Sequence, residues 1–529
     1  MSTKSAYFRP DVLLMSLAIN ILGLALPLAL LQIYDRILPS ESFGTATLLV
    51  TGVGIAILLD ACLRYGRASI FINMGARYEA LTIVSMFERI LKADINELET
   101  RGHASISDAF RAVPQVRDLS SGQAAIGLYD IPFVFIYFGM IAYVGNWLVV
   151  IPLSLFVVAI FVTLIITIFI SKHVNRVEEK LAQRRDFEWA LVSGVPYFKS
   201  MGAESGILRY FSDINDRLLK QHISLDSYTN LIKENSMLFS QLSTILIVVF
   251  GAIQVISGNL TTGALAACTL LAGRSIGPMM SSLGYLTRVA QLTVAKEKVN
   301  ALLAIPSSKA LNHNSDAGDK IESIKFELEG KIFKQGKVSI EQGELVYLDA
   351  PDSVLPSRIL SQIAGMSQPR LLSIKVNDQI LSNIPAQSYR RSVTLVPRVS
   401  SLLPGSILNN LTLYNPRYND KAAALITDLG LDSYLNNLRN GVLTEIGPTT
   451  AEILDEGICQ RIALIRALVH EPVVLLLDYA AVEIDMDGQK RLLNVLKSLK
   501  GHVTVIMATN NSMFKEIADK MIVLSADQA

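Results

Sequence analysis

The chain has 529 residues, of which 51% are hydrophobic and 18% are charged, and its mean hydropathy is +0.39. Soluble domains average about 25% charged residues, so this composition excludes an entirely soluble protein and predicts that much of the chain lies in lipid. The net charge of +1 gives no support to nucleic-acid binding. The spacings of the three cysteines fit no metal or redox motif, and their odd number argues against a disulfide framework.

Six apolar segments are each long enough to form a transmembrane helix, which needs about 20 residues. The third and fourth lie in one apolar stretch that breaks at Gly145 and Asn146. The predicted spans are 13–33, 45–63, two helices within 124–170, 236–257 and 261–281. We therefore assign residues 1–304 to a membrane domain, and we expect no removable signal peptide because no small-residue cleavage site follows the start of the chain.

Lysine and arginine in the loops predict how the spans are oriented. The stretches 64–122 and 171–235 are rich in both residue types, whereas the turns around Gly145 and Asn259 contain neither. Because basic loops stay on the cytoplasmic side, both long stretches and both termini should be cytoplasmic. Each stretch has about 60 residues with helical periodicity, which predicts two long helical hairpins below the membrane.

Three charged side chains, Asp60, Asp130 and Arg274, fall in or near the predicted spans, where a charge is costly. Two interpretations stay open. These side chains form structural pairs or extend to the membrane surface, or they line a transport path.

The remainder of the chain has the pattern of a soluble α/β domain. Residues 305–320 are rich in Ser, Asn and Asp and predict a linker, and the domain itself should span 321–529. Strand-like apolar runs at 343–348, 472–478 and 502–509 alternate with helical segments. This alternation predicts a largely parallel sheet.

The order of these segments resembles the ABC exporters of bacterial type I secretion systems. The membrane half is similar to them in ALPLALLQIYDRILPS, YDIPFVFIYF and LTTGALAACTLLAGRSIGPM. The soluble half is similar in GELVYLDAPDSVLPSRILSQIAGM, LVPRVSSLLPGSILNNL, LDEGICQRIALIRAL, VVLLLDYAAVEID and MATNN. The resemblance implies a membrane α-helical fold with six transmembrane helices of the ABC exporter type, plus an α/β ABC nucleotide-binding domain whose motifs are degenerate.

Compared with these exporters, the chain differs most in the phosphate-binding loop of the nucleotide-binding domain. The glycine positions are occupied by Ala350, Ser353 and Leu355, and the lysine position by Pro356. Only Ser357 keeps its expected role, and Arg358 follows it. Glycines let backbone N–H groups turn toward phosphate, and proline offers neither an ammonium group nor an N–H. Losing two hydrogen bonds to a charged group costs about 4 kcal/mol, which turns micromolar affinity into millimolar. In the alternative interpretation, Arg358 and Arg398 replace the lysine.

The positions that would catalyse hydrolysis are also changed. Asp478 keeps the Walker B carboxylate, but the glutamate position is Tyr479, the switch histidine is Asn510 and the Q-loop glutamine is Arg398. Tyrosine has a pKa near 10 and is a poor base at neutral pH. We therefore predict no catalytic residue, and Ser357 and Asp478 would hold Mg²⁺ only if the ion binds at all.

The signature motif carries two carboxylates. Asp455 and Glu456 replace its usual serine and first glycine, whereas Gly457 and Gln460 are kept. The carboxylates would repel a γ-phosphate held by a partner subunit. Asp455 also fits as the cap of the helix that follows.

The resemblance implies a catalytically degenerate subunit of a type I exporter in the inner membrane that pairs with an ATPase-competent ABC subunit to export a protein. A heterodimer is favoured over a homodimer. The tips of the hairpins, 94–108 and 188–203, would couple the two domains. The other expected partners are a periplasmic adaptor, an outer-membrane channel and membrane lipid. We expect no nucleotide to bind tightly to this chain, and ATP and Mg²⁺ would bind through the second ABC subunit. The alternatives are a non-transporting homodimeric scaffold, an active exporter with an unorthodox site, and an exporter of small molecules or lipids.

Overall fold

The computed structural model describes residues 10–121, 123–313, 319–447 and 454–525. They form two compact units, which are described separately. The first comprises Met1–Ile90 and Arg101–Ile305, and the second comprises Leu91–Thr100 and Pro306–Ala529.

Among the described residues, the first unit consists of helices and the short turns between them, as its apolar composition and helical periodicity predict. Its helices are α1 (Pro10–Leu22), α2 (Ala25–Gln32), α3 (Leu38–Ser40), α4 (Phe43–Lys92), α5 (Ile95–Ser121), α6 (Gln123–Gly145), α7 (Val150–Ser200), α8 (Glu204–Ile256) and α9 (Thr262–Leu303). A π-helical turn at Ile33–Ile37 follows α2, and a 3₁₀ turn at Asn146–Val149 separates α6 from α7. The predicted break at Gly145 and Asn146 is therefore confirmed, and Asn146 adopts a positive φ of 53° there.

Within the described residues, four helical stretches are long and apolar enough to cross a membrane. They are Pro10–Ser40, Phe43–Lys92, Tyr129–Ser200 and Glu204–Ile256, and the third contains most of α6 and all of α7. The predicted count of six spans and the predicted orientation stay predictions. The longest helices far exceed the roughly 20 residues that a bilayer requires.

The packed core of the first unit lies between α6, α7, α8 and α9. Ile141, Leu148, Ile247 and Leu271 are fully buried there. Gly145 permits a close approach, because a Cβ at this position would lie 2.7 Å from the Cys268 sulfur.

The second unit contains a five-stranded parallel sheet with the order β11-β3-β10-β9-β6 and a four-stranded antiparallel sheet with the order β2-β1-β4-β5. The strands are β1 (Phe326–Glu329), β2 (Lys337–Ile340), β3 (Leu345–Asp349), β4 (Ser373–Val376), β5 (Gln379–Ile380), β6 (Val393–Val396), β7 (Gly405–Ser406), β8 (Glu445–Ile446), β9 (Val474–Asp478), β10 (Thr504–Ala508) and β11 (Lys520–Val523). The helices are α10 (Val354–Ile363), α11 (Ala386–Ser392), α12 (Ile407–Thr412), α13 (Asn419–Asp428), α14 (Asp432–Leu435), α15 (Glu456–Val469), α16 (Met486–Leu499) and α17 (Ser512–Glu516).

Both faces of the parallel sheet are covered. Along β3, Leu345 and Tyr347 pack into one apolar cluster, and Val346 and Leu348 pack into the other. This alternation follows from the opposite directions of successive side chains in a strand. The three strands predicted from apolar runs are confirmed as β3, β9 and β10.

The predicted linker 305–320 is in part packed rather than free. Ala310 and Leu311 are buried, and Leu311 belongs to the apolar core of the second unit. Asn312 exchanges backbone hydrogen bonds with Ile384 and Ala386. The polar composition of the segment concealed this short apolar anchor, and residues 314–318 lie outside the described chain.

Candidate functional site

The loops that follow β3, β6, β9 and β10 meet at one edge of the parallel sheet, because the carboxyl ends of parallel strands point the same way. In open α/β sheets this edge is where ligands bind. The structure therefore brings the predicted phosphate-binding loop together with Arg398, Asp478 and Asn510 on neighbouring loops.

The start of α10 is capped by a carboxylate from its own loop. Asp352 Oδ1 accepts the backbone N–H groups of Val354 at 3.0 Å and Leu355 at 2.9 Å. The next residue, Pro356, has no N–H to offer. Ser353, which was singled out in the sequence, makes no side-chain cap. The first turn of α10 is thus satisfied internally, at the place where a helix N-terminus would otherwise attract an anion.

Sequence reasoning did not single out Asp352. An aspartate just before a helix is a recognised capping signal, and that signal was present in the sequence. The side chains of Leu355 and Pro356 are buried, and Ala350 packs against the apolar core. These substituted positions therefore contribute to packing within the unit.

Ser357 and Asp478 are in direct contact. Ser357 Oγ donates to Asp478 Oδ1 at 2.5 Å, and it also lies 3.0 Å from the carbonyl of Ser353. Burial raises the pKa of Asp478 above its ordinary value, although the hydrogen bond from Ser357 and the positive charge of Arg398 act in the opposite direction. The protonated form of Asp478 is therefore favoured more than in water.

Tyr479 occupies the glutamate position in a constrained conformation. Its φ is 50°, a left-handed value that bulky residues rarely adopt. Its N–H donates to the Ala508 carbonyl at 2.9 Å, and its side chain is buried in the core. Burial raises the pKa of the Tyr479 hydroxyl, so the group stays protonated near neutral pH.

The remaining positions of this edge are exposed. Arg358, Arg398 and Asn510 all face solvent. Among the described residues, neither arginine forms an ion pair or a hydrogen bond. The neighbouring Asn511 has a structural role, since it caps α17 by accepting the Met513 N–H at 3.0 Å.

The signature segment has structural reasons for most of its residues. Asp455 Oδ1 accepts the Ile458 N–H at 2.7 Å, so the predicted cap of α15 is confirmed. A Cβ at Gly457 would lie 2.6 Å from the Glu483 carbonyl oxygen. Glu456 is exposed.

The last signature position, Gln460, ties α15 to the loop after β6. Its side chain is buried, and it donates to the Pro397 carbonyl at 2.9 Å and accepts from Ser400 Oγ at 3.0 Å. This contact fixes the backbone next to Arg398.

No cluster of three or more His, Cys, Asp or Glu side chains that could hold a metal ion occurs in the described part of the chain. Ser357 and Asp478 are the only predicted Mg²⁺ ligands, and they are hydrogen-bonded to each other.

One part of the first hairpin belongs to the second unit. Gln368 donates its N–H to Asp94 Oδ2 at 3.1 Å, and Ile95 donates its N–H to the Met366 carbonyl at 3.3 Å. Ser308 also donates to the Lys92 carbonyl at 2.7 Å. These contacts surround the start of the predicted coupling region 94–108.

The charges predicted in or near the spans differ in their partners. Asp60 pairs with Arg64 at 3.0 Å and Asp130 pairs with Arg67 at 2.7 Å, which favours the structural interpretation for both. Arg274 has no ion pair among the described residues.

Comparison with known proteins agrees with this architecture. The family model of the ABC transporter transmembrane region matches residues 12–279, and the ABC transporter family model matches residues 334–482. The chain therefore belongs to the ABC transporter family, as a multi-pass membrane protein with a fused α/β domain. The predicted fold class is confirmed as a helical membrane domain of the ABC exporter type with a fused α/β nucleotide-binding domain, whereas its six spans and degenerate motifs stay predictions.

Two bacterial toxin exporters are among its relatives. The chain is 24% identical to the leukotoxin export ATP-binding protein LtxB of Aggregatibacter actinomycetemcomitans over 97% of its own length and 74% of the relative. It is 24% identical to the alpha-hemolysin translocation ATP-binding protein HlyB of Escherichia coli, with the same coverage. The fold is also similar to an ATP-bound bacterial Atm1-family ABC exporter, with a TM-score of 0.82 and 17% identity over 97% of this chain and 92% of that chain.

Proposed function

We propose that this chain is a subunit of a type I secretion ABC exporter in the inner membrane, and that it takes part in protein export without binding or hydrolysing ATP at its own site. The toxin exporters among its relatives support the export role. The claim that this chain neither binds nor hydrolyses ATP rests on the capping of α10 by Asp352 next to Pro356.

The residues at this edge of the sheet do not fit a nucleotide phosphate. A phosphate at the start of α10 would lie next to the Asp352 carboxylate, and two negative charges in contact repel each other. The N–H groups of Val354 and Leu355 would have to exchange one anion for another, and Pro356 adds no donor. Ser357, Arg358 and Arg398 are the groups that remain, and without the backbone N–H groups of the loop they would hold the phosphate weakly.

The residues also do not fit the activation of water. Tyr479 has a buried, protonated hydroxyl, and Asn510 cannot carry charge. Loss of a positioned base alone costs about 10²–10⁴ in rate. A slow reaction at a weakly populated site would not drive transport.

An ATP-competent ABC subunit is the partner that this proposal requires, because ABC exporters act as dimers. The contacts of Asp94 and Ile95 with residues 366–368 support a role for the first hairpin in coupling. The second hairpin carries exposed apolar side chains at Trp189, Val192 and Tyr197, which suit a docking surface. A periplasmic adaptor and an outer-membrane channel complete the proposed export path.

The test is purification of the chain from its native membrane, followed by identification of the bound polypeptides and measurement of ATP hydrolysis. We expect a second, intact ABC subunit and hydrolysis that survives Asp478→Asn in this chain. A complex that contains only copies of this chain and shows no hydrolysis would favour the homodimeric scaffold. Hydrolysis by the isolated chain that disappears with Asp478→Asn would refute the proposal.

A further inference from the structure

Three arginines and two aspartates lie close together among the apolar helices of the first unit. Asp60, Arg64 and Arg67 occupy one face of α4, since they are spaced by four and three residues. Asp130 on α6 and Arg274 on α9 complete the group. All of these except Arg67 lie within electrostatic range of the Tyr137 hydroxyl, and Arg67 contacts Asp130 directly.

The charges of this cluster do not cancel. Arg64 pairs with Asp60 at 3.0 Å, and Arg67 pairs with Asp130 at 2.7 Å. Within the described residues, Arg274 has no carboxylate and no hydrogen-bond acceptor. The cluster therefore carries one positive charge in excess, among apolar helices.

Arg67 adds a buried donor to the cluster. Arg67 is only 4% exposed, and its Nη1 donates to Ser16 Oγ at 2.6 Å and to Asp130. Its Nε is buried and has no acceptor among the described residues. A buried donor of a charged group without an acceptor is destabilising, so Arg67 has donor capacity that the described residues do not satisfy.

The two arginines are arranged along α1. Arg67 contacts Ser16, and Arg274 Nη1 lies 3.4 Å from the position of a Cβ on Gly23. Gly23 directly follows the end of α1 and lies seven positions after Ser16, which corresponds to about 10 Å along the helix axis. Between them, the Tyr137 hydroxyl lies 3.2 Å from Asn20 Oδ1. The cluster thus presents guanidinium, hydroxyl and amide groups along one strip.

We propose that this cluster binds the phosphate of an anionic phospholipid. Arginine suits phosphate because its planar donors bind two oxygens at once. Basic pockets between transmembrane helices on the cytoplasmic side hold acidic headgroups in this way. On the predicted orientation, Arg67 follows span two and Asp130 lies near the start of span three, which places the cluster at the cytoplasmic leaflet. The side chain of Arg64, 54% exposed, supplies an outer cation for the headgroup.

The test compares lipid binding by the purified full chain and its variants, using native mass spectrometry after delipidation. Phosphatidylglycerol and phosphatidylcholine with identical acyl chains are titrated separately. We expect the unmodified chain to prefer phosphatidylglycerol, and Arg274→Gln to weaken that binding by about tenfold while phosphatidylcholine binding stays unchanged. Arg36→Gln is the matched control, because Arg36 is an exposed arginine outside the cluster, and it should behave like the unmodified chain.

Arg274→Lys separates loss of charge from loss of structure, since it keeps the positive charge and should retain part of the preference. Equal phosphatidylglycerol binding by Arg274→Gln and the unmodified chain would overturn the proposal. So would an equal loss in Arg36→Gln. Displacement of phosphatidylglycerol by millimolar inorganic phosphate would show a site for soluble anions instead. None of these readouts involves nucleotide, so they are independent of the proposed secretion role.

Discussion

At the scale of single residues, the edge of the parallel sheet is held together by contacts that the chain makes with itself. Asp352 caps α10, Ser357 binds Asp478, and Tyr479 is packed in the core. The first two contacts engage groups that a nucleotide phosphate or Mg²⁺ would otherwise bind.

Asp352→Ala should destabilise the second unit, because two N–H groups of α10 lose their acceptor. Loss of such a cap costs about 1 kcal/mol. We expect a lower midpoint of thermal unfolding for the purified full chain. Asp352→Asn keeps an acceptor oxygen and should recover most of the difference, and an unchanged midpoint in the alanine variant would show that the cap is unimportant.

Asp478 should make stability depend on pH in a defined direction. Burial raises its pKa above the ordinary value of about 3.9. Between the ordinary and the raised pKa, the folded chain keeps a proton that the unfolded chain has released, so stability falls as pH rises through this range.

Asp478→Asn removes this titration but keeps an acceptor for Ser357. The unfolding midpoint of the unmodified chain, relative to the variant, should decrease as the pH rises from below 4 and become constant above the raised pKa. Thermal unfolding of both proteins across this range measures the difference. If the unfolding midpoint of the unmodified chain rose relative to that of Asp478→Asn as the pH increased, the raised pKa of Asp478 would be contradicted.

At the scale of helices and strands, contacts between distant segments explain motifs that sequence alone could only recognise. Asp35, in the π-helical turn, accepts Thr261 Oγ1 at 2.6 Å and the Gly263 N–H at 3.0 Å. A Cβ on Gly263 would lie 2.5 Å from Asp35 Oδ1, so the glycine is required. The motifs IYDR and LTTG therefore form one structural element at the start of α9.

Asp35→Ala should loosen the start of α9, since both donors lose a charged acceptor. The expected cost is about 1–3 kcal/mol. It is measured as a lower unfolding midpoint of the full chain in detergent. Glu41→Gln is the control, because it removes a negative charge from an exposed residue nearby in the chain. An equal decrease of the unfolding midpoint in both variants would argue against a specific cap.

Gly457→Ala should be harmful for a steric reason. The new methyl group would meet the Glu483 carbonyl at 2.6 Å, and overpacking of this kind costs about 1–3 kcal/mol. Gly206→Ala in α8 is the matched control, since nothing lies within 4 Å of its Cβ position and alanine favours the helix. The unfolding midpoint should fall for Gly457→Ala alone.

Elements set by local pattern could be predicted from the sequence, whereas those set by distant contacts could not. The apolar runs located β3, β9 and β10, and the break at Gly145 separated α6 from α7. Asp455 was identifiable as a cap because its partner is three residues away. The burial of Leu311 depends on a core assembled from many strands, and the Asp35 contacts join residues more than 200 positions apart.

At the scale of the whole molecule, a membrane unit and an ABC unit are joined in one chain, and the proposal assigns them different tasks. The membrane unit would supply part of the export path. The ABC unit would act as a docking and transmission domain, through contacts such as that of Asp94 with the Gln368 backbone. The energy would then come from a second ABC subunit.

The most direct test of this account is equilibrium binding of ATP, with and without Mg²⁺, to the purified full chain. An ATP-competent ABC exporter in the same detergent serves as the positive control. We predict no saturable binding to this chain below the millimolar range. Micromolar binding that is located at residues 350–358 by photo-crosslinking would contradict the account.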